Sequence, residues 1–318
     1  MHFDVFNGDA DGIIALVQLR LAEPKSSMLV TGVKRDINLV SQVDVTTATS
    51  VTVLDVSMEK NTEALAEVLK HNIPVLYVDH HRTGEVSQSE HLTAIIDTDA
   101  NTCTSLLVNQ YLNGKYAHWA VAAAFGDNMN AAAIALADTL GLSQNEQDKL
   151  KALGIYVNYN GYGASIDDLH FPPAELFKLL LKFENPLDLI NDQHSVFGTL
   201  ESAYLQDMAH VEQAQVLADD LACKVITLPD APWSRRVSGV LGNDLANQSP
   251  SKAHAVFTGN DDGSYRVSLR APLTNKQGAD TICIQFPTGG GRSAAAGINY
   301  LPAELVPKFI ETVKLYYS

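Results

Sequence analysis

Apolar residues fall along the first hundred positions in short, nearly unbroken runs separated by polar turns. His2 to Phe6 reads as a strand, NGDADG as a turn, and Ile13 to Leu21 as a helix that Pro24 brings to a close. Met28 to Val33 forms a second strand and, after a Thr-rich connector, Val51 to Val56 forms a third. Residues Glu59 to His71 place Leu65, Val68 and Leu69 at helical spacing, and Asn72 with Pro74 close that helix. The run PVLYVDHH follows, in which the apolar strand Val75 to Val78 ends abruptly in Asp79, His80 and His81. Strands without polar alternation belong to parallel sheets covered on both faces, and the β–α–β order predicts the same.

Further on, Ala94 to Ile96 suggests another strand, and DTDANTCTSLLVNQYL a loop and then a helix capped near Asn101 or Thr102. Helices are expected over Trp119 to Phe125, Asn130 to Leu140 and Gln144 to Leu153, with YVNYNGYG as a Tyr/Gly loop packed at a domain edge and residues 142–195 mainly helical. His170 and His194 read as surface residues. Leu200 to Ala222 reads as one long connecting helix. From Lys224 the texture changes to short candidate strands, VITL, VSGVL, AHAVFTG and SYRVSLR, then FPTGGGRSAAAGI and a last helix, Ala303 to Tyr316. The expected organisation is therefore α/β: a doubly wound parallel-sheet domain over 1–195, a connecting helix over 196–223, and a smaller α/β domain over 224–318.

Composition narrows the picture. With 318 residues, 46% hydrophobic and 19% charged, the chain can bury ample core. No apolar run approaches the roughly 18 residues of a membrane span, and MHFDVFNGDADG lacks the basic and apolar regions of a signal peptide, so a cytoplasmic location without membrane contact is expected. Cys103, Cys223 and Cys283 are widely spaced and form no CxxC pair, which suits reduced, buried thiols. The net charge of −15 argues against a surface that attracts nucleic acid everywhere. It is also uneven: residues 1–223 carry 12 Lys and Arg against 30 Asp and Glu, a net of −18, whereas residues 224–318 carry 10 against 7, a net of +3. Such asymmetry fits an acidic metal-holding part and a smaller phosphate-gripping one, although scattered surface charge would give it too.

Acidic or histidine-bearing spots follow one apolar segment after another: Asp9 and Asp11, then Asp55 in VLDVS, then Asp79-His80-His81, then Asp127 in FGDN. Each alone could be a helix cap or a turn residue. Together, at the ends of apolar segments, they point to a metal site, because ligands of open parallel sheets gather beyond the carboxyl ends of the strands. Carboxylates suit hard divalent cations, and imidazole shifts the preference towards manganese. Such a set could hold two ions about 3.5 to 4 Å apart, the arrangement of dinuclear phosphoryl-transfer centres.

These motifs, in this order, resemble those of the DHH phosphoesterases. DADG, LDVS, VDHH and FGDN look like the four motifs of the catalytic domain, while SLRAP (268–272) and GGGRSAAAG (289–297) are similar to those of the DHH-associated C-terminal domain. The resemblance covers nearly the whole chain. It implies Asp9, Asp11, His80 and Asp127 as ligands of two Mn2+ ions (or Mg2+ or another divalent cation), with Asp55 bridging them and Asp79 orienting its neighbouring histidine. It further implies that His81 contacts the scissile phosphate and protonates the leaving oxygen, and that Arg270, Gly289, Gly290, Gly291 and Arg292 grip a terminal phosphate or nucleotide. Two positions depart from the family pattern: Val5 stands where many members have histidine, and Arg292 replaces the histidine that follows the glycines in many relatives.

The expected function is manganese-dependent hydrolysis of a small nucleotide or short oligonucleotide. A nucleotide-binding homologue without catalysis, or a polyphosphatase or pyrophosphatase, is the alternative. Oligomeric state is left open by the sequence.

Overall fold

A computed structural model describes every residue of the chain except 87 and 100, so one position of the loop expected at the start of DTDANTCTSLLVNQYL lies outside the described residues. The chain divides into two compact units, Met1–Ala203 and Tyr204–Ser318.

The first unit is built on β1 (His2–Phe6), β2 (Ser27–Val30), β3 (Ser50–Leu54), β4 (Val75–Asp79) and β5 (Leu92–Ile96), all parallel, in the order β2-β1-β3-β4-β5. The crossovers carry α1 (Ala10–Ala22) and α2 (Thr62–Lys70). Phe3, Val5, Val51, Val53, Val75 and Tyr77 belong to one buried cluster, which is why these strands read as apolar runs. The chain leaves β1 in one direction to form β2 and returns on its other side to form β3. That reversal opens a crevice beyond the carboxyl ends of β1 and β3. After β5 come helices: α3 (Thr104–Tyr111), α4 (Ala117–Gly126), α5 (Asn130–Thr139), α6 (Gln144–Asn160), α7 (Pro173–Leu180), α8 (Pro186–Asn191) and α9 (Val196–Ala209), the last of which runs past the boundary at Ala203.

The second unit holds β6 (Gln215–Asp219), β7 (Cys223–Leu228), α10 (Pro232–Gln248), β8 (Ala253–Gly259), β9 (Tyr265–Arg270), α11 (Ala279–Cys283), β10 (Gly289–Gly291), β11 (Ala295–Leu301) and α12 (Val306–Tyr317). Its mixed sheet runs β10-β11-β9-β8-β7-β6, with β7 and β8 parallel and the other pairs antiparallel. The α/β reading thus holds: a parallel-sheet unit followed by a smaller unit with its own sheet and core. All three cysteines are buried and none is in a disulfide. Among the described residues no helix is long and apolar enough to cross a membrane.

Several expected elements come out differently. The helix over Leu200–Ala222 stops at Ala209, and after a 3-10 turn the chain enters β6. There Asp220 accepts the amides of Ala222 and Cys223, both at 3.0 Å, and turns β6 back onto β7. VSGVL is not a strand: it lies inside α10, where Val237, Val240 and Leu241 are buried at i, i+3 and i+4. Tyr156 and Tyr159 are not loop residues either. A capping box of Ser143 and Glu146 starts α6, which carries on past Leu153 to Asn160 and buries Tyr159 completely. Finally, α1 begins at Ala10 rather than Ile13, so most of DADG is helix.

Candidate metal centre

The turn after β1 delivers Asp9 and Asp11 to the crevice. Asp9 is the N-cap of α1, and its Oδ1 accepts the amides of Asp11 at 3.0 Å and Gly12 at 3.1 Å. A side chain at Gly12 would lie 2.3 Å from the Asn7 carbonyl, so this tight entry demands glycine. Asp9 Oδ2 accepts from the Lys34 ammonium. Burial pushes the Asp9 carboxyl up, but Lys34 outweighs it and holds the group below its ordinary range.

Asp11, on the first turn of α1, points its carboxylate at the start of α3. Its Oδ2 accepts the Thr104 amide at 2.8 Å and Oδ1 the Ser105 amide at 2.7 Å, while Ser105 Oγ donates to the Asp11 carbonyl at 2.8 Å. The residue at the N-cap position, Cys103, makes no side-chain cap. The cap expected at Asn101 or Thr102 is therefore supplied from 93 residues away. Burial, then the charges of Asp127 and Asp9, raises the Asp11 carboxyl to about 6.

Asp55 follows the last residue of β3 and adopts φ +58°, a left-handed conformation that costs a non-glycine residue on the order of 1 kcal/mol. Two bonds from β4 hold it there: its amide donates to the Val78 carbonyl at 3.1 Å, and the Tyr77 hydroxyl donates to the Val56 carbonyl at 2.6 Å. Thr104 Oγ1 donates to Asp55 Oδ1 at 3.3 Å. Burial and the charges of Asp9, Asp11, Asp79 and Asp127 push Asp55 well above the usual carboxylate range.

The two histidines after β4 face different partners. His80 Nδ1 donates to the Thr102 carbonyl at 2.8 Å; a carbonyl only accepts, so this bond fixes the tautomer. When the ring is neutral, Nε2 is then a lone-pair donor; it lies 3.3 Å from Asp55 Oδ1 and 3.6 Å from Asp11 Oδ2. His81 instead bonds Asp79 Oδ1 through Nδ1 at 2.7 Å, and a quarter of its side chain is exposed (26%) against 2% for His80. Burial pushes Asp79 up, but the neighbouring His81 and His80 hold it below the ordinary range. Asp127 caps the C-terminus of α4, with its Oδ1 3.9 Å from Lys34 Nζ.

The chain thus brings Asp9, Asp11, Asp55, Asp79, His80, His81 and Asp127 to one crevice, and the donor set fits a hard divalent cation. Two groups among the described residues have ligand atoms within 4.8 Å of one another: Asp55, His80 and His81, and Asp11, His80 and Asp127. Asp79 Oδ2 is buried with no hydrogen-bond partner among the described residues, and the raised carboxyls of Asp11 and Asp55 mark a deficit of positive charge. Asp9 belongs to neither group. Val5 is buried in the apolar core, and His2 is bonded to Ser50 Oγ at 2.7 Å and Asp4 Oδ1 at 3.1 Å, so neither adds a ligand.

Sequence reasoning missed Lys34, Thr102, Thr104 and Ser105. Only Lys34 left a signal: it is a charge shortly after the apolar run of β2, the same position relative to a strand as the aspartates. The Tyr159 hydroxyl bonds His170 Nε2 at 2.8 Å, and both His170 and His194 are exposed.

In the second unit, Arg270 ends β9 and lies across α10. Its Nε donates to Asn243 Oδ1 at 2.6 Å, Nη2 to the Gly239 carbonyl at 3.2 Å and Nη1 to Ser268 Oγ at 3.0 Å. Gly289, Gly290 and Gly291 form the edge strand β10 against β11. A Cβ at Gly289 would stand 1.8 Å from the Cys283 carbonyl oxygen, whereas at Gly290 it would meet nothing within 4 Å. Arg292 follows in a tight turn, its amide donating to the Ala295 carbonyl at 2.8 Å.

No protein-family model matches the sequence, and no curated protein matches it. Solved structures do match the fold over essentially the whole chain. A DHH domain described as a member of a family of ribosomal proteins superposes with a TM-score of 0.65 at 12% identity, covering 99% of this chain and 86% of that one. Exonuclease RecJ bound to manganese gives 0.59 at 15% identity, with 99% and 90% covered. The pGpG-specific phosphodiesterase PggH from Vibrio cholerae gives 0.55 at 13% identity, with 100% and 99% covered. The chain therefore has the fold of the DHH-domain proteins, a class whose solved members named here include an exonuclease and a phosphodiesterase.

Proposed function

We propose that this protein is a divalent-cation-dependent phosphoesterase acting on a small phosphorylated substrate, a nucleotide or short oligonucleotide. The observation that carries the reading is the His80 tautomer: Thr102 fixes the Nδ1 proton, which leaves Nε2 as a ligand between the carboxylates of Asp11 and Asp55. His80, Asp11, Asp55 and Asp127 would hold the cation. A bound divalent ion, Mn2+ or Mg2+, supplies Lewis acidity at a phosphoryl oxygen and an acidified water at neutral pH.

The chain's own residues supply the rest. Asp79 accepts the Nδ1 proton of His81 and sets the ring, so that protons are exchanged with substrate at Nε2; the protonated ring would deliver one to the leaving oxygen. In the second unit, Arg270 is immobilised by Asn243 and Gly239, and the open face of Gly290 lets a ligand approach the backbone. Arg270, Gly289, Gly290, Gly291 and Arg292 are proposed to bind a terminal phosphate, the role guanidinium groups and glycine amides suit. A short substrate fits the net charge of −15, which disfavours long polyanions.

The test is hydrolysis of linear dinucleotides such as pGpG, of pAp and of polyphosphate in the presence of manganese. Turnover of a dinucleotide or pAp is expected. Turnover of polyphosphate alone would replace the substrate class, and no turnover of any of them by metal-loaded protein would leave only nucleotide binding.

A further inference from the structure

Lys34 enters the carboxylate cluster from the segment after β2, and three other parts of the unit hold it there. Its amide donates to the Gly161 carbonyl at 2.8 Å, and its carbonyl accepts from Asn7 Nδ2 at 3.2 Å. The ammonium donates to Asp9 Oδ2 and, at 3.3 Å, to Asn158 Oδ1; it lies 3.9 Å from Asp127 Oδ1 and 5.3 Å from the centroid of the Tyr162 ring. Two carboxylates, an amide oxygen and an aromatic face are the surroundings of a bound cation, met here by a tethered ammonium.

This placement bears on how many ions the cluster can take. Asp9 is satisfied without one, Oδ1 by two α1 amides and Oδ2 by the ammonium. The remaining ligands form two groups of three, and both groups require His80. Its Nδ1 is bonded to the Thr102 carbonyl, which leaves the single lone pair of Nε2, and one lone pair ligates one ion. In the group containing His81, the Nδ1 of that ring is already bonded to Asp79. The two groups thus describe one ion site around His80, and a second ion would have to be held by carboxylates alone, where Asp9 and Asp127 already face the Lys34 ammonium.

We infer that Lys34 stands as a fixed cation between Asp9 and Asp127, so that the centre takes one divalent ion per chain, at His80, Asp11, Asp55 and Asp127, and not two. The inference rests on the metal centre proposed above. It assigns Asp9 to holding Lys34, in place of the ligand role that its motif suggests. The positive charge on that side of the crevice then neither dissociates nor is removed by a chelator.

The experiment is an ion count on the full-length chain. Protein stripped with a chelator is titrated with Mn2+ alone, and free Mn2+ is measured by electron paramagnetic resonance. The wild type should saturate at one ion per chain and show the spectrum of isolated manganese. Lys34→Met should saturate at two, with the spectrum of a spin-coupled pair, because Asp9 and Asp127 lose their ammonium. Lys34→Gln, which keeps a donor to Asp9 without the charge, should also gain the second ion and serves where the methionine variant melts without a cooperative transition. Two coupled ions in the wild type would overturn the inference and leave the metal centre standing, as would a folded Lys34→Gln that still takes one. A wild type that binds no manganese would overturn the centre itself.

Discussion

Two buried carboxylate clusters lie at the two ends of α1, and they differ in charge balance. At the end of the helix, Asp4 of β1 meets Arg20: Nε donates to Oδ2 at 2.9 Å and Nη2 to Oδ1 at 2.6 Å, while Ser27 Oγ donates at 2.6 Å and His2 Nε2 lies 3.1 Å away. Burial alone would raise Asp4, yet Arg20 and its neighbours bring it down to about 2. At the start of the helix, Asp11 is raised to about 6 and Asp55 goes well above its ordinary range, because burial and neighbouring carboxylates act in the same direction. The chain folds both clusters out of similar residues. A bidentate guanidinium makes the first a structural tie, whereas the second keeps a deficit of positive charge that a divalent ion would fill.

The sharpest break of this contrast comes from Asp55→Asn. Turnover should fall by about a thousandfold or more, while the melting temperature of the metal-free protein holds or rises, since one of several mutually repelling carboxylates is neutralised. Near-normal turnover would remove Asp55 from the centre. His81→Gln should reduce turnover by about 10² to 10⁴ with manganese affinity unchanged, the mark of a proton carrier. A parallel loss of manganese binding would make His81 a ligand.

Arg20→Met tests the other cluster. It leaves Asp4 buried without its guanidinium and should cost about 3 to 5 kcal/mol in urea unfolding. Manganese affinity should not change. A stability loss below about 1 kcal/mol would mean that the Asp4 network is no structural tie.

The smallest effect is pH dependence, and here the two clusters have opposite signs. Asp4 has a lowered folded value, so its contribution of about 2 kcal/mol is present above its unfolded value near 4 and is lost as pH falls through about 2. Asp11 has a raised folded value, so its contribution is present below the unfolded value and lost as pH rises through about 6. In thermal melts with chelator present, stability should climb from pH 2 to 4 and drop between pH 4 and 7, and manganese should abolish the drop. A monotonic rise to pH 7 without metal would contradict the deficit of positive charge at the centre.

Much of the parallel sheet could be read from the chain because its signals are local. A strand buried on both faces must be apolar along its length, and the run Val75 to Val78 appears within β4. Where packing decided, local reading failed. The segment after Ala209 carries apolar residues compatible with helix, yet it pairs as β6 through a turn at Asp220. VSGVL has strand-like composition, yet it lies buried in the middle of α10.

The centre divides along the same line. By itself the sequence determined which aspartates and histidines stand at strand and helix ends, because the run of apolar residues before each of them is a local requirement of burial. Only the tertiary structure decided how they are used. Asp11 caps α3 from α1, Thr102 sets the His80 tautomer, and Lys34 pairs with Asp9. Those choices depend on hydrogen bonds and charges between residues tens of positions apart, which no local pattern of apolar and polar positions encodes.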